Sequence, residues 1–359
     1  MNSQYLTPFF TLSHATDTPQ HTDSFHDSTY YKTGPKDVCL LISFMIVMAV
    51  LRDVLRLGVF EPFARWKLTR DLEAKRSKPM NGNGHTNGHA NGHSNGHANG
   101  HSNGHANGNA TKKELHLLRR SVLRFAEQGW PAIYYPVQWC FGLYINYHLP
   151  TRMFEPTSLW IGYPHIPIAA PIKSTTLPRR QFYTHQMLVL NAEARRKDHW
   201  QMMAHHVITV FLMGASYFFN FTRVGCLIMV LMDWCDIFFP IAKMTRYLNL
   251  PQIVSDSLFA HFIVSWFITR HVLFMIVIVS TYIDLPRLVT LEWAPHLGRF
   301  LSREYWIIFC ACLTALEALQ VLWFAMACRV AWRAITTGAG ADDVRSDDEG
   351  EDFDEKKEQ

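Results

Sequence analysis

Residues 203–240, MAHHVITVFLMGASYFFNFTRVGCLIMVLMDWCDIFFP, contain two apolar runs, 203–219 and 222–240, that meet at Asn220-Phe221. Each is close to the ~20 residues an α-helix needs to cross a bilayer, so the stretch predicts a hairpin of two membrane helices. His205, His206, Asp233 and Asp236 stand inside these runs. An aspartate at membrane depth costs about 2.5–3.5 kcal/mol on insertion scales, which makes such residues candidates for function by default. At ~1.5 Å per residue, His206 lies ~21 Å below the turn, and Asp233 and Asp236 lie ~20 and ~24 Å below it on the returning helix. The hairpin thus predicts four ionisable side chains at one level, near one face of the membrane.

Outward from this hairpin, further apolar runs cover 38–59, 258–283 and 304–329, with weaker ones near 130–148, rich in Tyr and Trp, and near 180–193. The fold class these predict is all-α, a polytopic transmembrane helix bundle of about six or seven spans. Its divisions are a polar N-terminal segment (1–37), a first transmembrane helix (38–60), a basic segment and low-complexity linker (61–110), a membrane domain (111–335) and an acidic tail (336–359). The linker repeats Asn-Gly-His-x between Asn81 and Ala110, a composition that builds no core. The seven cysteines lie in or beside apolar stretches without CxxC spacing and read as packing thiols. The first 37 residues lack the basic start and short apolar core of a cleavable signal, so the run from Val38 is expected to remain as an anchor.

The formal charge is only +4, and Lys and Arg cluster just outside the apolar runs, which argues against a nucleic-acid partner. The clusters fall at Arg65–Lys78, Lys112–Arg124, Arg195–Lys197, Lys243–Arg246 and Arg329–Arg333. Basic residues favour the cytosolic side. With all seven segments counted as spans, every cluster lies on that side, the N-terminus is lumenal and the C-terminus cytosolic. The stretch near 180–193 has only about a dozen usable residues before Arg195, and leaving it out would invert the upstream part. In the tail, Ser346 precedes three acidic residues, as in an acidic-directed kinase site, and Lys356-Lys357 resembles a dilysine endoplasmic-reticulum retrieval signal.

Asp198, Met202, His205 and Thr209 follow helical spacing on one side of their helix, and Asp233 and Asp236 are three apart on theirs. A carboxylate beside an imidazole fixes its tautomer and stabilises the charge it gains with a proton, the apparatus of a general base. The same four groups could instead only hydrogen-bond across helices. A metal site is a further option, but one His-His pair without HxxxH or HxxHH elsewhere falls short of it. His261, Arg270-His271 and Glu317 also interrupt apolar runs and read more readily as cavity-lining or helix-end residues.

Arg195-Arg196-Lys197-Asp198-His199-Trp200-Gln201-Met202, His205-His206-x-x-Thr209, Ser216-Tyr217, Asn220-Phe221-Thr222-Arg223-Val224-Gly225, Met232-Asp233-x-x-Asp236 and Ala242-Lys243-Met244 closely resemble the ceramide synthase (longevity-assurance) family in its fungal form. The resemblance covers roughly Thr111 to Arg333, the membrane domain called TLC. It implies an N-acyltransferase of the endoplasmic reticulum that joins the acyl group of a fatty acyl-CoA to the amine of a sphingoid base, with no cofactor beyond that co-substrate. The implied catalytic residues are His205, His206, Asp233 and Asp236; the implied substrate-binding residues are Arg196, Lys197, Asp198, Trp200, Thr209, Asn220, Thr222, Arg223 and Lys243. The loop from Asp284 to Glu304 would influence acyl-chain length, and homo- or hetero-oligomers with related synthases are expected. The departure is at 177–186, LPRRQFYTHQ, where the family has a longer apolar helix. That shortening leaves open an alternative, a catalytically weak or inactive paralogue that binds lipid or regulates a synthase.

Overall fold

The computed structural model describes residues 3–20, 22, 24–77, 111–177 and 198–337. The Asn-Gly-His repeat, the run near 180–193, Arg196, Lys197, Ser346 and the dilysine pair lie outside the described residues.

Every other apolar run is helical. α1 (Ser3–Phe10) lies in the N-terminal segment, α2 (Asp37–Leu55) continues through a π-helical turn (Arg56–Phe60) into α3 (Glu61–Ser77), and α4 (Lys112–His148) contains the Tyr- and Trp-rich run in its second half. After helical residues 170–177, labelled α5, come α6 (His199–Phe218), α7 (Thr222–Tyr247) and α8 (Gln252–Trp266). α8 continues through a seven-residue π-helix (Phe267–Leu273) into α9 (Phe274–Ile283); a short α10 (Leu285–Leu288) follows, and α11 (Arg303–Thr337) closes the bundle. Among the described residues, four helical stretches are long and apolar enough to cross a membrane: 37–77, 222–247, 252–283 and 303–336. Their outer faces, such as Ile46, Val47 and Val50 on α2, are exposed apolar surface, as a lipid-facing wall requires. The chain is a multi-pass membrane protein.

At one end the chain is held by pieces too short to carry a sequence signature. β1 (Ala15–Thr16), β2 (Tyr30–Tyr31) and β3 (Ile168–Ala169) form an antiparallel sheet, and β4 (Glu292–Ala294) pairs with β5 (Arg299–Leu301). The N-terminal segment is fixed through Lys173. Its buried Nζ meets Asp37 Oδ1 at 2.7 Å and donates to the carbonyls of Ser13 and Lys32, each at 2.8 Å. Tyr217 of α6 donates to the other oxygen of Asp37 at 2.6 Å. Burial lowers the Lys173 ammonium's pKa below the usual lysine value, and Asp37 opposes the shift.

The opposite end collects basic residues. There Ala64 and Leu68 of α3 pack with Val122 and Phe125 of α4 and Leu248 after α7. α4 starts with a reciprocal cap: Thr111 Oγ1 accepts from Glu114 N at 3.3 Å while Glu114 accepts from Thr111 N at 2.9 Å. Those bonds hold the Glu114 carboxyl below its ordinary value. The residues flanking 178–197, Leu177 and Asp198, stand at opposite ends of the bundle. Leu177 packs with Ile145, Leu149 and Tyr217 near the sheet, while Asp198 caps the far end of α6, a helix of 20 residues and so ~30 Å long.

Candidate active site

The α6–α7 hairpin forms as its sequence predicts. Phe219 N donates to Ala215 O and Phe221 N to Ser216 O, both at 2.8 Å, and Asn220 takes the left-handed conformation at φ 61°. Ser216 Oγ also donates to Phe221 O at 2.8 Å. A Cβ at Gly225 would lie 2.3 Å from Ser216 Oγ, so glycine lets α7 approach α6 at the turn.

Between α4, α6, α7, α8, α9 and α11 lies a cavity of about 830 Å³ that extends from the basic end toward the sheet. Lys243, Arg246, Arg329 and Arg333 line it at the basic end; Trp160, Phe221, Leu285 and Phe309 line it at the other. Asp198 stands at the basic end just before α6, and Met202, His205, His206 and Thr209 of α6 line the middle with Asp236 of α7. The spacing of Asp198, Met202, His205 and Thr209 does put them on one wall.

The histidine rings lie side by side with centroids 5.5 Å apart, and His205 meets Trp323 of α11 edge to face at 5.2 Å. Both Nδ1 atoms are buried without a hydrogen-bond partner. Neither Nδ1 makes the expected carboxylate–imidazole contact. Asp236 instead pairs with Arg270, Oδ2 to Nη2 at 2.7 Å, because a guanidinium donates more strongly to a carboxylate than a neutral imidazole does. Asp233, one helical turn before Asp236, is buried at 2% exposure and does not open on the cavity.

Four of the residues implied for substrate binding do not line the cavity. Trp200 is 74% exposed and lies off the cavity. Asn220, Thr222 and Arg223 are buried at the hairpin tip, also off it. Asn220 Nδ2 donates to Gly298 O at 3.0 Å, and Arg223 Nη1 donates to the carbonyls of Ser158 at 3.1 Å and Ile161 at 2.9 Å. These bonds join the turn to neighbouring segments. Lys243 does line the cavity, with its ammonium 4.4 Å from the Phe239 ring centroid. Arg270 is a further charged residue of the site that the sequence alone reads only as cavity-lining or helix-end. The signal was available, since a carboxylate held in an apolar bundle requires a cation and Arg270 interrupts the run 258–283.

A helical bundle enclosing a long cavity with buried histidines and acids defines a class of multi-pass membrane proteins. The family model described as the TLC domain matches residues 124–329, more than half of the chain, and the chain belongs to that family. It is 34% identical over 261 residues to a ceramide synthase of Gibberella moniliformis, covering 66% of this chain and 60% of that protein. It is 32% identical over 331 residues to the sphingosine N-acyltransferase lag1 of Schizosaccharomyces pombe, covering 91% and 71%. With the ceramide synthase of Saccharomyces cerevisiae it shares 29% over 242 residues, 66% of this chain and 57% of that protein. The chain thus spans less than two thirds of the length of the Gibberella and Saccharomyces relatives. The resemblance read from the motifs holds at the level of the family.

Proposed function

We propose that this chain is a sphingoid base N-acyltransferase, a ceramide synthase that transfers the acyl group of a fatty acyl-CoA to the amine of sphinganine or a related base. One observation carries the reading. The same apolar cavity has a rim of cations at one end, a histidine pair and an acid along its middle, and an aromatic and aliphatic far end. That is the shape required by two substrates with long hydrocarbon tails, one of which carries phosphates that cannot enter lipid.

In this reading Lys243 meets the phosphates of CoA, and Asp198 and Thr209 position polar groups along α6. Arg196 and Lys197 lie outside the described residues, and the family resemblance alone implies that they bind substrate. A protonated amine has no free lone pair, so one imidazole of His205 and His206 first removes a proton, with Asp233 and Asp236 supplying the negative field that favours the resulting cation. The nitrogen then attacks the thioester carbonyl. The C–N bond forms, the C–S bond breaks, and the thiolate leaves with the second proton lost from nitrogen. A two-step route, in which His205 takes the acyl group first as an acyl-imidazole, uses the same residues. No resident cofactor takes part.

The protein would reside in the endoplasmic-reticulum membrane with its C-terminus cytosolic. Support comes from the basic clusters of α3, α4, α7 and α11 gathering at one end of the bundle and from the positive-inside rule. Homo- or hetero-oligomers with related synthases are part of the proposal, and the exposed apolar face of α2 leaves room for them.

The test is to express the full chain in a host lacking its own synthases and incubate the membranes with sphinganine and a panel of acyl-CoAs. An N-acylated product is expected for at least one chain length. Folded protein that yields none with any acyl-CoA defeats the reading. Product that persists in the His205→Ala/His206→Ala double variant defeats the assignment of the histidines.

A further inference from the structure

The seven-residue π-helix Phe267–Leu273 interrupts an otherwise α-helical span. Such turns are uncommon and concentrate at functional sites. Arg270 projects from it and binds three helices together. Its Nη2 contacts Asp236 Oδ2 at 2.7 Å and Met232 O at 2.8 Å on α7, and its Nη1 contacts Gln320 Oε1 at 3.0 Å on α11. Its guanidinium also lies over Trp266, 4.6 Å from the ring centroid.

The pair is unequally exposed: the Arg270 side chain is 8% accessible and that of Asp236 25%. Both residues line the cavity, and the carboxylate is the more accessible of the two. The Gln320 side chain in turn reaches Met232 Sδ at 3.8 Å, and Trp323, one turn further along α11, packs on His205. The clamp and the histidine pair thus share α11 as a common wall.

From this geometry we infer that Arg270 is a positioning residue for the acyl transfer: it clamps Asp236 between α7 and α11 so that the carboxylate faces the cavity instead of turning onto a histidine. The inference rests on the proposed activity, and it names the cation that fixes the acid. A guanidinium suits the role because its planar fork reaches the carboxylate, the backbone carbonyl and the glutamine at once, whereas an ammonium is a point charge that reproduces only part of that geometry.

The experiment compares Arg270→Ala, Arg270→Lys, Asp236→Asn and the Arg270→Ala/Asp236→Asn double variant in membranes supplied with sphinganine and the preferred acyl-CoA. Arg270→Ala is expected to lower kcat about 100-fold, the scale of removing a preorganised charged donor, while KM for acyl-CoA stays within about twofold. Arg270→Lys is expected to retain more activity than Arg270→Ala. Added guanidinium, at concentrations too low to unfold the protein, is expected to restore part of the Arg270→Ala rate. The double variant is expected to be no slower than the worse single variant, because both remove one interaction. Arg270→Ala with kcat within twofold of the parent, or losses that multiply in the double variant, overturns the inference.

If the parent protein itself makes no product, the proposed function fails separately. The clamp is then judged by a double-mutant cycle on melting temperature in detergent, where additive losses from the two single variants overturn it.

Discussion

At the scale of the residue, the four ionisable groups were legible because lipid makes them costly and helical spacing makes their depth computable. Their pairing was not. The sequence offered Asp236 two imidazoles from the adjacent helix, and the structure gives it Arg270 from two elements further along the chain, a longer side chain with a stronger donor. His205 and His206 make no hydrogen bond to another helix through Nδ1, so their removal should affect chemistry far more than folding. His205→Gln and His206→Gln are each expected to lose at least about 100-fold in activity, the contribution of a positioned acid or base. The melting temperature in detergent should stay near the parent's. A large fall in stability with activity retained would assign the pair a packing role.

Among elements, long apolar helices announced themselves by length, as 38–59, 203–219, 222–240, 258–283 and 304–329 all do. The π-helices at Arg56–Phe60 and Phe267–Leu273 did not, because continuous apolarity carries no phase from which a wider turn could be read. Strands of two or three residues are likewise too short for an alternating pattern. The hairpin tip illustrates the difference between a motif and a role. Asn220, Thr222, Arg223 and Gly225 sit inside the family's motif string, yet the first three lie off the cavity and the last makes room for Ser216. Arg223→Ala should therefore destabilise the fold by about 1–3 kcal/mol, the consequence of losing the charged hydrogen bonds to the carbonyls of Ser158 and Ile161. KM for acyl-CoA should not change; a specific rise in KM without loss of stability would return Arg223 to the substrate. Gly225→Ala should destabilise by displacing the Ser216 hydroxyl from its bond to Phe221 O, and Ser216→Ala in the same chain should recover part of the loss, as read by thermal unfolding.

For the whole molecule, the bundle and its membrane character followed from composition, while the ordered cap built by the N-terminal segment did not. The first 37 residues look polar and tail-like in sequence, yet Lys173 at 0% side-chain exposure binds Asp37, Ser13 and Lys32 together. Breaking that pair leaves a buried carboxylate without its cation, and Lys173→Met should cost about 3–5 kcal/mol, measured by thermal unfolding of the full chain. Lys173→Met combined with Asp37→Leu should cost much less, since no charge is then stranded.

The cavity has one more consequence, for handling the protein outside a membrane. A largely apolar chamber of about 830 Å³ with a basic end will hold whatever single-chain amphiphile surrounds it, because an unfilled apolar wall forfeits its dispersion contacts. A detergent is then a competitor as well as a solvent. Inhibition should rise with the alkyl length of the detergent monomer and yield to added acyl-CoA, and exchange into short-tailed or bulky sterol amphiphiles should recover turnover.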